Sequence, residues 1–203
     1  MSVAELELAD WRREMYAVYA EIRAGDDPER AHARWQARRD HLFSHHPQSP
    51  LPADSPLRAS GVPYWPYDPA LRWVLPLEPV TEPAEHGVDT GSDGISRLRQ
   101  VGWITLPEPF GARLAVWWLA QYGGGLFLPL RDASAGRSSY GGGRYLLDTA
   151  KGADLGAEGS ALVVDLNFLY HPSCRYDPQW ACPLAPPENT IDKPIHGGER
   201  LSA

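Results

Sequence analysis

The last fifth of the chain limits its fold more than any other stretch. Residues 164–200 read VDLNFLYHPSCRYDPQWACPLAPPENTIDKPIHGGER. Each proline lacks a backbone N–H and fixes φ, so neither a helix interior nor a central strand accommodates this run. The backbone must follow one irregular path, and its polar groups need partners elsewhere in the fold. Both cysteines, Cys174 and Cys182, lie on that path.

Before it, short apolar segments alternate with turn clusters. A strand is expected at 71–77 and a polar, Gly-rich loop at 82–97. Further strands follow at 101–106, 113–120, 126–130, 144–148 and 161–170. Strands this short, so closely spaced, leave no room for the crossover helices that parallel neighbours need. The N-terminus reads as helical. Leu8, Trp11, Met15, Val18, Tyr19 and Ile22 recur at three- and four-residue steps over 3–24, and Gly25 is a natural stop. Asp27-Pro28 then places an N-cap and a first-turn proline at the head of a second helix running to about Phe43. Its Ala31, Trp35 and Leu42 face inward, and Arg34, Arg38 and Arg39 read as a solvated face.

The fold class is α+β and mainly antiparallel β: a meander sheet, sandwich or partly closed barrel. Two N-terminal helices and an irregular Pro-rich C-terminal segment complete it. The 203 residues read as a single domain: a helical pair (1–45), an ordered Pro/aromatic extended segment (46–70), a β body (71–170) and a C-terminal wrap (171–203).

Net charge is −7, which supplies no basic footprint for nucleic acid. No run of about 18 apolar residues predicts a membrane span. MSVAELELADWRREMY is not a signal peptide, so the expected compartment is cytoplasmic and the expected state of both cysteines is reduced. Only Lys151 and Lys193 of the 19 basic residues are lysines; GC-rich codon usage and selection for planar, bidentate anion contacts both produce that bias.

Two segments carry candidate chemistry. In PLRDASAGRSSYGGGRYLLD (129–148), Arg131, Asp132, Tyr140, Arg144, Tyr145 and Asp148 cluster around small residues. They read either as a polar pocket whose arginines clamp an anionic group, or as a hairpin tied by Arg–Asp pairs. The GxxxxGK[ST] spacing of a phosphate loop is absent. Asp165 and Asn167 share one face if 161–170 is a strand. They read as a site, or as partners for the proline-rich backbone beyond. His171, Cys174, Cys182 and His196 have the residue types of a zinc site, but lack the close Cys-x2–4-Cys pair, so no metal is assigned. No cofactor is implied either.

The chain resembles the bacterial and archaeal family catalogued as domain of unknown function 1684. The resemblance rests on SPL (49–51), GVPYWPYDPALRW (61–73), LFLPLRDASAGRSSYGGGRYL (126–146) and VVDLNFLYHPSCRYDPQWACPLAPPENTIDKPIHGGER (163–200), together with W-x-x-x-R-D-x-L from Trp35 to Leu42. It implies motif roles for Arg131, Asp132, Tyr140, Gly143, Arg144, Tyr145, Asp165, Asn167, Cys174, Tyr176, Cys182, Pro183, Asn189 and Glu199. Leu166, His171 and His196-Gly197 depart from the family pattern, which argues against a family-wide His/Cys zinc site. The resemblance implies no activity. The favoured function is therefore a small-molecule-binding β domain. Its ligand, a small anionic molecule, lies between the 131–144 loop and the 165–167 strand, with Arg131, Asp132, Tyr140, Arg144, Tyr145, Asp165 and Asn167 as binding residues. The alternatives are a hydrolase-like enzyme with an Asp acid/base in the same pocket, and a structural or partner-binding module.

Overall fold

The computed structural model describes residues 3–90, 94–120 and 122–202. Helix α1 spans Val3–Ala24 and α2 spans Pro28–His45. Asp27 caps α2 by accepting from the Arg30 N–H at 3.1 Å, with Pro28 in the first turn. The apolar stripe of α1 buries Met15, Val18 and Tyr19, but it starts later than its periodicity predicts: Leu8 is exposed. Ala31, Trp35 and Leu42 of α2 are buried as expected. Arg39 is a correction. It is buried, because it stands one helical turn from Trp35 on the inward face.

The Pro/aromatic segment is ordered. It carries a short helix, α3 (Leu57–Ser60), and then lies along the C-terminal tail. The Trp65 N–H donates to Gly198 O at 3.0 Å, and the Arg200 N–H to Pro63 O at 2.9 Å. Asp40 accepts from the Val62 N–H at 3.0 Å, which joins the segment to α2.

Among the described residues the strands are β1 (Arg72–Pro76), β2 (Glu78–Pro79), β3 (Glu85–Asp89), β4 (Ile95–Thr105), β5 (Arg113–Leu119), β6 (Leu126–Asp132), β7 (Arg144–Asp148), β8 (Ala157–Glu158), β9 (Ala161–Asp165) and β10 (Thr190–Ile191). Strands β4 to β7 form an antiparallel meander, joined by β2 and β3 on β4 and by β10 on β6. The sheet does not close into a barrel. A second sheet runs β1–β9–β8, all antiparallel. A parallel pairing joins β10 to β6 and brings the tail against Arg131 and Asp132.

Two expectations are overturned. Of the 82–97 loop expected from sequence, 91–93 lie outside the described residues, and residues 85–89 and 95–97 are strand, because β3 and the start of β4 pair from Glu85↔Arg99 to Asp89↔Ile95. Their polarity reflects one solvated face: along β4 Ser96, Leu98 and Gln100 are buried, and Arg97 and Arg99 are exposed. Strand β9 ends at Asp165 rather than at Tyr170, because the Asp165 carboxylate accepts from the Asn167 N–H at 3.0 Å and starts a 3-10 turn.

The main core lies between the large sheet, the helices and the β1–β9 sheet. It includes Tyr19, Trp35, Ile104, Leu114, Val116, Leu128, Leu146, Val164 and Phe168. The opposite face of the large sheet carries a second cluster, Leu98, Ala115, Trp117, Phe127 and Tyr145, against which Cys182 of the tail packs. The tail thus covers apolar surface that the meander leaves open.

Candidate functional site

Pro129 sets up the first polar junction. Strands β5 and β6 pair only through Trp117↔Phe127 and Trp118↔Leu126, and the next hydrogen-bonded pair in that register, Ala115↔Pro129, would need the N–H that Pro129 lacks. Fully buried Asn189 occupies the gap. Its Nδ2 donates to Ala115 O and Pro129 O, both at 2.8 Å, and its Oδ1 accepts from Trp117 Nε1 at 2.9 Å. A carboxamide from the tail completes the ladder.

The second junction is built on Arg144. Gly143 precedes it at φ +90°, where an added Cβ would stand 2.5 Å from Leu130 O, so glycine is required to turn the chain into β7. Arg144 is fully buried. Its Nη1 donates to Gly197 O and Glu199 O, and its Nη2 to Ile195 O at 3.0 Å and Asp132 Oδ2 at 2.8 Å. Asp132 Oδ1 accepts from the Ser134 and Ile195 N–H groups at 2.8 and 3.1 Å. Burial raises the Asp132 carboxyl, but Arg144 and these donors reverse that and hold it below the usual carboxylate range. The clamp grips the tail's own carbonyls.

A third junction was missed by sequence reasoning. The Glu199 carboxylate accepts from Arg39 Nε at 2.6 Å, the His171 N–H at 2.6 Å and Tyr176 Oη at 2.7 Å, and His171 Nδ1 lies 3.3 Å away. Arg39 lies over the rings of Phe43 and Tyr170. Its four-residue spacing from Trp35 was the available signal.

Asp165 and Asn167 sit elsewhere. Asn167 is fully buried; its Oδ1 accepts from the Asp68 N–H at 2.9 Å, and its Nδ2 donates to Asp68 O and Asp165 Oδ1 at 2.8 Å. Asp165 Oδ2 accepts from Tyr67 Oη at 3.3 Å and lies 3.7 Å from Arg72 Nε. Burial raises the Asp165 carboxyl, against the opposing pull of Asn167 and Arg72.

The expected binding residues therefore do not converge. Asp132 and Arg144 close under residues 195–199, Asp165 and Asn167 hold residues 67–68, and Arg131 is exposed on β6. Tyr145 is buried with Oη donating to Pro183 O, and Tyr140 Oη lies 3.8 Å from Cys174 Sγ. The weighed zinc set is dispersed too: His196 stacks on Trp65, and His171 faces Glu199. Among the described residues, no three His, Cys, Asp or Glu side chains gather as metal ligands.

Asp165 borders a sizeable hollow. A cleft of about 380 Å³ opens between the α1–α2 junction and the β1–β9–β8 sheet. Ile22, Leu155 and Phe168 give it apolar walls, and Arg23, Arg72, Glu158 and Asp165 give it charge. Arg23 Nη1 donates to Asp154 O at 2.6 Å, and Arg72 is one-third exposed beside Asp165.

Residues 59–200 match the family described as "Protein of unknown function (DUF1684)", and the chain belongs to it. It is also similar to the solution NMR structure of an uncharacterised protein of Haloarcula marismortui. The two share 30% identity over 87% of this chain and 97% of the other, with a TM-score of 0.59. No curated protein matches. Among the described residues, no helix is long and apolar enough to cross a membrane.

Proposed function

We propose that this member of the DUF1684 family binds a small anionic molecule in the cleft between its helical pair and the β1–β9–β8 sheet. One observation carries the reading: a hollow of about 380 Å³ with apolar walls is lined by two arginines, each with about one-third of its side chain open to solvent. That volume lies within the range of small-ligand sites, which combine apolar lining with a few placed polar groups. Arg72 and Arg23 offer planar donors to a carboxylate or phosphate, while Ile22, Leu155 and Phe168 take up an apolar remainder. The ligand position differs from the pocket expected near Arg131 and Arg144, whose clamp is occupied by the tail.

An enzymatic reading has one observation in its favour. Asp165 reaches the same cleft with a carboxyl that burial raises, a property shared by catalytic acids and by ordinary buried carboxylates. Asp165→Asn separates the two readings once a ligand is known, since turnover through a general acid/base would fall by about 100-fold or more.

The test is a thermal-shift screen with carboxylate and phosphate metabolites. A ligand at 100 times its Kd adds about 2.7 kcal/mol, or roughly 5–10 °C for a chain of this size. The shift should vanish in Arg72→Ala. No shift across the panel, or a shift that survives Arg72→Ala, contradicts the proposal.

A further inference from the structure

Cys174 and Cys182 are both free thiols in the irregular tail, and each is partly buried. The Cys174 N–H donates to Cys182 Sγ at 3.4 Å, and Tyr140 Oη lies 3.8 Å from Cys174 Sγ. Cys182 therefore accepts a backbone hydrogen bond from the residue that carries the second thiol. Cys182 also lines a small cavity of about 70 Å³ under the tail. A neighbouring hollow of about 100 Å³ shares Trp11, Pro50, Lys151 and Ser173 with that cavity and reaches the exposed Leu8. Cys182 thus borders a cavity and keeps part of its own surface open to solvent.

We infer that Cys174 and Cys182 form a hydroperoxide-reactive dithiol site, with Cys182 as the attacking thiolate and Cys174 as the resolving thiol. The asymmetry of their hydrogen bonds supports the assignment. Donation by Cys174 holds the Cys182 thiol below the usual thiol range, against the effect of burial, with Lys151 assisting. Donating to Cys182, together with burial, pushes Cys174 up. Tyr145, Asp148, Arg39 and His171 face Cys182 across its cavity, and Tyr140 and Arg175 lie on the Cys174 side.

In the first step, Cys182 S⁻ attacks the O–O bond of ROOH. An S–O bond forms, the O–O bond breaks, and the departing RO⁻ takes a proton to give ROH. Cys174 sulfur then attacks the sulfenic sulfur: an S–S bond forms, the S–O bond breaks, and hydroxide leaves with the Cys174 proton as water. The dithiol gives up two electrons and the hydroperoxide gains them. A thiol reductant reverses the disulfide.

The experiment uses the wild-type chain and limiting iodoacetamide, with labelling resolved by residue in mass spectrometry from pH 5 to 9. At pH 7 Cys182 should label about tenfold or more ahead of Cys174. Cys182 is held down and Cys174 pushed up, so Cys182 carries the larger thiolate fraction, and the weaker nucleophilicity of a low-pKa thiolate trims the gap. The Cys182 rate should rise with a midpoint clearly below the roughly 8.5 of an ordinary thiol. Equimolar hydrogen peroxide should then yield a 174–182 linked peptide and remove both thiols from the count. In Cys174→Ser a dimedone adduct should accumulate on Cys182, while Cys182→Ser should leave Cys174 reduced. Equal labelling, faster Cys174, a midpoint near 8.5 or only intermolecular disulfides would overturn the assignment. The wild-type labelling needs no variant, so it decides the assignment even if either serine variant misfolds.

Discussion

Replacing Arg144 with methionine tests whether the strongest polar motif of the chain holds the tail. The substitution keeps much of the volume and removes the charge. It leaves Asp132 buried without its cation, and leaves the carbonyls of Ile195, Gly197 and Glu199 without that donor. Breaking a buried ion pair from one side costs about 3–5 kcal/mol. The two backbone N–H groups still bonded to Asp132 keep the figure from rising further. A loss of about 4 kcal/mol is a large share of the roughly 5–15 kcal/mol that stabilises a domain. With a urea m-value of about 2 kcal/mol/M, the midpoint should fall by about 2 M. The eight tryptophans provide the fluorescence signal. Asp132→Asn in the Arg144→Met background should recover part of the stability, because the stranded charge is gone while the amide oxygen still accepts from the Ser134 and Ile195 N–H groups, giving a coupling well above about 0.5 kcal/mol. A single-variant loss under about 1 kcal/mol, or strict additivity, would refute the clamp.

Other consequences follow from the same polar junctions. Asn189→Ala should lose about 2–4 kcal/mol in urea unfolding, since it strands the Ala115 and Pro129 carbonyls and the Trp117 N–H. A loss indistinguishable from that at an exposed site would show that β5 and β6 do not depend on it. Acid should weaken the fold in two stages. Burial pushes His32 and His171 down to about 4, so between about 6.5 and 4 the unfolded chain binds more protons than the folded one. Stability is full above 6.5 and falls as pH drops towards 4, by up to about 3 kcal/mol per histidine. Asp40, Asp148 and Asp165, with carboxyls raised by burial, act in the opposite sense above the ordinary carboxylate range. The histidine contribution is therefore read as the difference between wild type and His171→Asn, whose stability should fall less over that window. Below about 4, protonation of Asp132 and Glu199, both held low in the fold, removes a further share. Urea midpoints at pH 7.5, 5 and 3.5 measure both stages, and identical profiles for wild type and His171→Asn would contradict the first.

Much of the architecture is legible in the sequence because local chemistry and global packing agree there. The Asp27-Pro28 restart marks the head of α2, and the Met15, Val18 and Tyr19 spacing marks the buried face of α1. The β3–β4 hairpin is hidden in the sequence because its solvated face is so polar that it submerges the alternation of Ser96, Leu98 and Gln100. The candidate site was harder. Arg144, Asp132 and Asn167 have the residue types of a binding pocket, and a buried clamp on the protein's own carbonyls uses the same chemistry. What separates the two is the identity of the acceptor, and here it lies far along the chain: Gly197 for Arg144, Asp68 for Asn167, Ala115 for Asn189. The cleft at Arg72 is similarly invisible in the sequence, since Arg23, Arg72 and Asp165 come from three distant segments.

The proposed division of labour, with the motif residues holding the tail and the cleft receiving the ligand, is most directly tested by titrating a ligand from the thermal-shift screen into ¹⁵N-labelled protein and following the backbone amides. Shift changes should centre on residues 23–31, 72, 155–158 and 163–168, the walls of the cleft, and leave 131–144 and 195–199 unmoved. Changes centred on Arg131, Tyr140 and the 195–199 tail, with the cleft silent, would contradict the account.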